Sequence, residues 1–521
     1  MDLPDAHGRD ARKVAARGGR LPDARPSRLL DGPGRIPDAA AGRIDPPPAG
    51  GDEARRALAG LGASLLVGLA VASWPGLPAG AARPALAVAA GAVLLWIAMP
   101  VALPVGALLA VVALILSGAA TPDLAFSGFA SEATLLLIGG MFMARGVEIS
   151  GLARRVALEL AWRAGRRPGG TLQALLLLPQ VLAWGVPANA VRSQLMLPVV
   201  EAMLERAREP GEPPGSEQAR RRQWMLALAF GGNVSNSGLL PAAVGNILTA
   251  AILARSLGLH VGYFTWLLGA WPVWLGGLLA AGPVIRWTSP APEPGPAFLE
   301  RLGAEVRGLG PLAAAERRAL AWIAVAILLW ATGSWTGIPL SATALLTGLA
   351  MAIPGVGVAP WTEMSRIGWG TILTVAGTIG LGNALTDSGA AAWLAQGLAG
   401  SPLGAALGRP GWDVLLLAVL TQLLHLVLSN VSSEVVVLAP LVISLARAHG
   451  ADPLAWGMVL ALSADNGYLL AVQTVSNMVA VTQGRLRQRE MGWPGLWMTA
   501  ANVALVVLTA TLWWPRIGIG G

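Results

Sequence analysis

The chain has 521 residues, of which 54% are hydrophobic and 13% charged, with a mean hydropathy of +0.60. Soluble proteins average about 25% charged residues, so most of this chain must lie in lipid. The formal charge of +8 comes from Arg, with Lys13 the only Lys, and there is no Cys. The arginines cluster in loops between apolar spans, as the positive-inside rule requires. That favours a membrane topology over a nucleic-acid face, and the lack of Cys excludes disulfide and thiolate–metal schemes.

Residues 1–55 are rich in Arg, Asp, Pro and Gly without apolar periodicity. That composition cannot bury a core and lacks the apolar stretch of a signal peptide, so the segment is expected to be a disordered cytoplasmic tail. A bilayer-spanning helix needs roughly 20 mostly apolar residues. Candidates follow at 57–75, 84–100, 101–118 and 132–149, then at 262–285, 319–335, 337–354 and 370–387, and last at 493–515. Four less regular regions, 171–205, 223–258, 411–447 and 453–483, carry nearly all the intramembrane polar residues.

Two of these regions hold similar polar breaks. Pro187-Ala188-Asn189-Ala190-Val191-Arg192-Ser193 runs toward Pro198, and Leu428-Ser429-Asn430-Val431-Ser432-Ser433-Glu434 runs toward Pro440. Arginines on both flanks of 171–205 (Arg163, Arg166 and Arg167 before; Arg206 and Arg208 after) place both ends in the cytoplasm. As one straight helix the segment would be roughly 50 Å long, too long for the roughly 30 Å hydrocarbon core. It is therefore expected to be a re-entrant hairpin broken at Pro187.

Counting forward, 286–318 is a cytoplasmic linker and 411–447 a second hairpin, entering from the exterior. The expected fold is an all-α polytopic membrane protein of about 11 transmembrane helices plus two re-entrant hairpins. The first repeat is 56–285 and the second, inverted repeat 319–521, with the N-terminus cytoplasmic. Polar breaks in corresponding positions of two inverted halves point to a carrier's binding site.

The halves also match in sequence. Val147-Glu148-Ile149-Ser150-Gly151 closes one span and Leu385-Thr386-Asp387-Ser388-Gly389 another. Behind the hairpins, Gly232-Asn233-Val234-Ser235-Asn236-Ser237-Gly238, ending at Gly245-Asn246, faces Ser463-Ala464-Asp465-Asn466-Gly467, ending at Ser476-Asn477. Each reads as a helix with an unwound middle, whose freed carbonyls can bind cations.

With Thr121-Pro122-Asp123-Leu124-Ala125-Phe126-Ser127-Gly128-Phe129, these motifs resemble the divalent anion:sodium symporter (DASS) family of the ion transporter superfamily, over roughly residues 85–515. The resemblance implies 11 spans, two hairpins, a scaffold that usually dimerises and Ser-Asn-Thr tips that bind substrate carboxylates and help build sodium sites. It assigns Asn189, Ser429 and Asn430 to the substrate, and matches Asn246 and Asn477 to the family's loop asparagines. Ala188, Ala190 and Val431 stand where the family has hydroxyls, and the Thr-Pro-Pro before each loop Asn is absent.

A buried charge costs roughly 2.5–3.5 kcal/mol at the midplane, so Arg192 and Glu434 each need a partner. Arg192 is read as an anion ligand, its planar fork suiting a carboxylate or sulfate, or as paired with Glu434 across the repeat, or as facing a loop. Ser193 and Ser432 complete the expected substrate set. Asp465 is the candidate sodium or proton site, with Asn466 beside it; Asn233 and Ser235 are the first-half counterparts. His425 reads as a packed core residue, and His7, His260 and His449 are too scattered for a metal site; no cofactor is expected, and sodium is the one ion implied.

The leading function is a secondary transporter of small anions, dicarboxylate or sulfate-like, coupled to sodium or protons, working by alternating access in the cell inner membrane as a homodimer. The alternative is a sodium/proton antiporter of the same superfamily. A polytopic membrane enzyme would need clustered acid–base or nucleophilic groups, which the sequence does not offer. No nucleotide-binding motif points to a pump.

Overall fold

In the computed structural model the described residues are 51–521, apart from Met99, Pro210, Pro410, Ser429 and Gly521. Most of the expected tail lies outside them, and Gly51–Arg55 already belong to the first helix, Gly51–Ala72. The described elements are helices, as a chain in lipid requires when every backbone N–H and C=O must be bonded within its own segment. The protein is an all-α, multi-pass membrane protein.

The nine span candidates each fall on a helix: Gly51–Ala72, Ala82–Ala98, Leu103–Leu116, Glu132–Ser150, Tyr263–Thr288, Ala314–Thr336, Leu340–Ala350, Trp369–Asp387 and Gln488–Leu508. The last runs on to Ile517 through a wider turn at Thr509–Trp513. All four irregular regions break where polar residues or Pro interrupt the apolar run. The first gives Gly170–Ala183 and Asn189–Arg206, the third Asp413–His425 and Val431–His449. The second and fourth unwind around single 3-10 turns, Leu240–Ala242 and Ala471–Gln473.

The duplicated sequence signals have duplicated conformations. Gly151 and Gly389 both take left-handed φ, +81° and +78°, which only Gly adopts at little cost, and each lets the chain turn from one helix directly into the next. The residues before the two 3-10 turns match closely, with Leu239 at φ −118°, ψ 135° and Leu470 at φ −119°, ψ 147°. So do the residues after them, Ala243 at φ −144°, ψ 149° and Thr474 at φ −137°, ψ 156°.

Helices Glu132–Ser150 and Leu340–Ala350 pack backbone to backbone through Gly139 and Gly348. A Cβ on Gly348 would lie 2.9 Å from Phe142 Cβ and against the Gly139 carbonyl. In lipid, where apolar side chains gain little by leaving the solvent, such close backbone approach drives association. Gly348→Val is expected to cost about 1–3 kcal/mol by overpacking, read as a lower unfolding temperature in detergent. A variant as stable as the wild type would show that the two helices can separate freely.

The 286–318 linker is not a bare connection. It contains the helix Pro296–Gly308, which ion pairs tie to the first half. Glu305 binds Arg154 at 2.9 Å and Arg206 at 2.8 Å. Beyond it, Arg155 Nε donates to Glu316 at 2.7 Å, while its Nη atoms donate to the carbonyls of Leu309, Gly310 and Pro311.

Burial alone would push the Glu316 carboxyl up, but the Arg155 hydrogen bond, the Ala313 amide and the Arg155 charge outweigh it and hold it below its ordinary value. A carboxyl held low contributes stability that is present above its unfolded pKa and lost as pH falls through the depressed folded value. Arg155→Ala leaves Glu316 and three carbonyl contacts without a partner. It should destabilise the chain by roughly 3 kcal/mol at neutral pH, with a smaller deficit in acid, checked by unfolding curves at both pH values.

Candidate functional site

Pro187 dictates the first break. It has no N–H and drives the preceding Val186 toward extended backbone. The next helix starts at Asn189 with Ala188 in the cap position, at φ −79°, ψ 113°, and no side chain caps it. The carbonyls of Val186 and Pro187 are thereby released from helix bonding. Arg192 lies one turn into the new helix, where side chains lean back toward the N-terminus. Its Nη1 donates to the carbonyls of Val186, Pro187 and Ala242 at 2.8, 2.9 and 3.0 Å, and Nη2 to Asn236 Oδ1 at 2.8 Å. The side chain is fully buried.

Asn189 and Ser193 turn toward the other half of the chain. Ser476 Oγ donates to Asn189 Oδ1 at 2.9 Å, and the hydroxyls of Ser193 and Ser476 lie 2.8 Å apart. Ser476 was not among the expected site residues. Its signal was its place before Asn477, where the first half has Gly245 before Asn246.

The second break is built differently. Asn430 is a true N-cap, at φ −143°, ψ 120°, whose Oδ1 accepts from Ser433 N at 3.2 Å. Ser429 lies outside the described residues, and Ser432 is buried in the first turn. Glu434 is fully buried and its Oε2 contacts Nδ1 of His425, which ends the preceding helix and is equally buried.

The expected Arg192–Glu434 pair is therefore corrected: among the described residues the two form no ion pair. Each charge finds partners nearer by. Arg192 uses the carbonyls freed by its own break together with Asn236 and Ala242, and Glu434 uses the histidine across its own break. The direct-ligand reading of Arg192 is narrowed as well, because both Nη atoms are already engaged and only Nε lacks a partner among the described residues.

Behind the breaks, one hydrogen-bond pattern occurs twice. Asn246 Nδ2 donates to the carbonyls of Asn236 at 2.7 Å and Leu239 at 3.1 Å. Asn477 Nδ2 does the same to Gly467 and Leu470, both at 2.9 Å. Each asparagine bonds carbonyls that the unwound turn leaves unpaired. The two unwound segments also cross-link. Asn233 Nδ2 donates to Gly467 O at 2.7 Å and Asn477 Oδ1 at 3.0 Å, Asn236 Nδ2 to Asp465 O at 3.1 Å, and Asn466 Nδ2 to Ser237 Oγ at 2.8 Å. Ser235 instead bonds back to Gly232 O in its own helix, at 2.6 Å.

Asp465 is buried, and its carboxylate faces the backbone amides of Gly245 and Asn246 at the start of the Val244–Leu257 helix. That helix end carries positive dipole and free N–H groups, which suit a carboxylate. A Cβ at position 245 would run into this carboxylate, so Gly245 makes the room. Asp465 Oδ2 keeps no hydrogen-bond partner among the described residues. The charges of Arg192 and Glu434 are both near enough to act on it. Of the expected residues, the structure gathers Asn189, Arg192, Ser193, Asn233, Asn246, Asp465, Asn466 and Asn477 into one connected region, while Asn430 caps its own helix.

The sodium:sulfate symporter transmembrane region family matches residues 58–519. A membrane protein of Cupriavidus necator is 26% identical over 88% of this chain and 91% of its own length. The citrate/succinate antiporter of Escherichia coli is 24% identical over 62% of this chain and 65% of its own. The sodium-dependent dicarboxylate transporter SdcS of Staphylococcus saprophyticus is 23% identical over 82% of this chain and 86% of its own. With a family match spanning nearly all the described helices, and the duplicated breaks and loops in their expected order, the chain belongs to the sodium:sulfate symporter family of membrane transporters.

Proposed function

We propose that the chain is a secondary active transporter of small anions, with dicarboxylates the leading substrates, coupled to a sodium or proton gradient. The observation that carries the reading is the meeting of the first break with the second half's unwound loop, through Asn189, Ser193 and Ser476. In it, 171–205 and 411–447 are re-entrant hairpins of an inverted repeat, opening to opposite sides of the cell inner membrane. The N-terminus is cytoplasmic and the working form a homodimer. Relatives named as dicarboxylate transporters and a citrate/succinate antiporter support the substrate class.

Chemically, the tips need only neutral donors. Hairpin-tip helices present free N–H groups and positive dipole ends to an anion, and the amides of Asn189 and Asn430 add donors beside them. Rigid-body movement of one repeat against the other then exposes the same site alternately to each side. In the second half, Asp465 with its unpartnered oxygen fits a hard cation or a proton. Its carboxylate supplies the negative charge that such an ion requires.

Proteoliposome uptake of labelled succinate, citrate and sulfate, with and without sodium and pH gradients, tests the reading. Saturable uptake of at least one anion is expected. Sodium-driven proton flux without uptake of any anion would instead establish a sodium/proton antiporter. Asn189→Ala removes an amide and leaves Ser476 without its acceptor. It should lower anion uptake by about tenfold or more, since losing one buried hydrogen-bond partner costs roughly 1–3 kcal/mol. Asp465→Asn, nearly isosteric, should retain anion binding but lose the response of uptake to the driving cation. Retention of the full response would remove Asp465 from the coupling site.

A further inference from the structure

The first half holds an arrangement that the family's sodium coupling does not account for. Three main-chain carbonyls, from Val186, Pro187 and Ala242, converge on the single nitrogen Arg192 Nη1 at 2.8, 2.9 and 3.0 Å. A guanidinium Nη carries two protons, so acceptors outnumber donors at that point. Two of the carbonyls come from the break at Pro187 and one from the unwound turn Leu240–Ala242, and a side-chain oxygen of Asn236 closes the shell on Nη2. Oxygens freed at broken helices and aimed at one point form the kind of shell that coordinates a cation in carriers. Here a cation already stands inside it. A sodium ion beside Arg192 would share those oxygens with a guanidinium, at like-charge distance, in a site with no exposure to water. That cage does not fit sodium.

We infer that the Arg192 guanidinium is a tethered cation that takes the place of sodium in the first-half carbonyl cage, so that this half is charged permanently and needs no sodium to be assembled. The two halves then divide the work. The first holds its positive charge covalently throughout the cycle, and any ion that moves is carried by the second, where Asp465 and the His425–Glu434 pair lie. Counted from the caps Ala188 and Asn430, the position of Arg192 corresponds to Glu434 at the second tip, so the second half has a carboxylate there and no tethered cation. The inference rests on reading the unwound segments as the cation-coordinating part of the carrier.

The test uses cations alone, so it stands or falls independently of which anion is carried. The unfolding temperature of the full chain in detergent is measured in sodium chloride and in choline chloride at equal ionic strength, with and without millimolar guanidinium. Arg192→Ala should be destabilised in choline. Sodium and guanidinium should each restore several degrees beyond any rise they cause in the wild type. Arg192→Lys, which keeps a tethered charge, should show no such added sodium response. A variant that responds to neither ion, to guanidinium alone, or no more than the wild type overturns the inference. Arg192→Gln carries the same comparison if the alanine variant does not survive purification. Equilibrium dialysis of the wild type with radioactive sodium decides the matter on the intact protein: at most one sodium per chain is expected, and two would overturn the inference whatever the variants do.

Discussion

Everything at the centre of this protein follows from one constraint: a backbone that leaves helical geometry inside a membrane must find partners within the protein. The chain breaks its helices at Pro187, around Leu240–Ala242, before Val431 and around Ala471–Gln473, and each break frees carbonyls and amides. Polar side chains collect them. Asn246 and Asn477 reach back to the carbonyls of their own unwound turns, Arg192 to those of its own break, and the Asp465 carboxylate to the amides that begin the opposite half's helix. The polar residues are thus the condition for having breaks at all. A transport site is what remains when the satisfied groups have been accounted for.

The duplication is close in conformation and loose in chemistry. Matching backbone angles at Leu239 and Leu470 and identical asparagine contacts show two copies of one local design. The tips then diverge. The first leaves its helix start uncapped and sets a guanidinium into the released carbonyls, whereas the second caps its helix with Asn430 and opposes Glu434 with His425. Charges buried in low dielectric interact strongly over short distances. The break regions thus hold a cation in one half and carboxylates in the other.

Much of this was legible in the sequence because lipid imposes length and composition on every span. Pro187 beside Asn189, and the paired Gly151 and Gly389, are local signals with local causes. What the sequence could not carry was which distant groups meet. Arg192 and Glu434 both demanded partners, and charge complementarity suggested each other. The side chain's lean toward its own helix start instead made the Val186 and Pro187 carbonyls nearer. His425 read as a core residue because burial in an apolar stretch hides a partner that lies across a break. The linker helix Pro296–Gly308 was missed since its apolar face is short and its docking depends on Arg154 and Arg206 of other elements. Ser476 gave only a positional hint, because a serine beside a conspicuous asparagine carries no chemical signature of its own.

A covalently held cation also changes what gradients can do. An ion that must bind before its site is formed contributes its binding free energy to assembling that site, and substrate affinity then follows the ion's concentration. Under the tethered-cation inference, a guanidinium held by four oxygens contributes the same charge whichever side the site faces. Dependence on an external cation must then arise where a carboxylate has an oxygen to spare. In the proposed function that group is Asp465, seated against the Gly245 and Asn246 amides with Oδ2 unpartnered among the described residues. The asymmetry between the two halves, more than the symmetry that frames it, sets how such a carrier is driven.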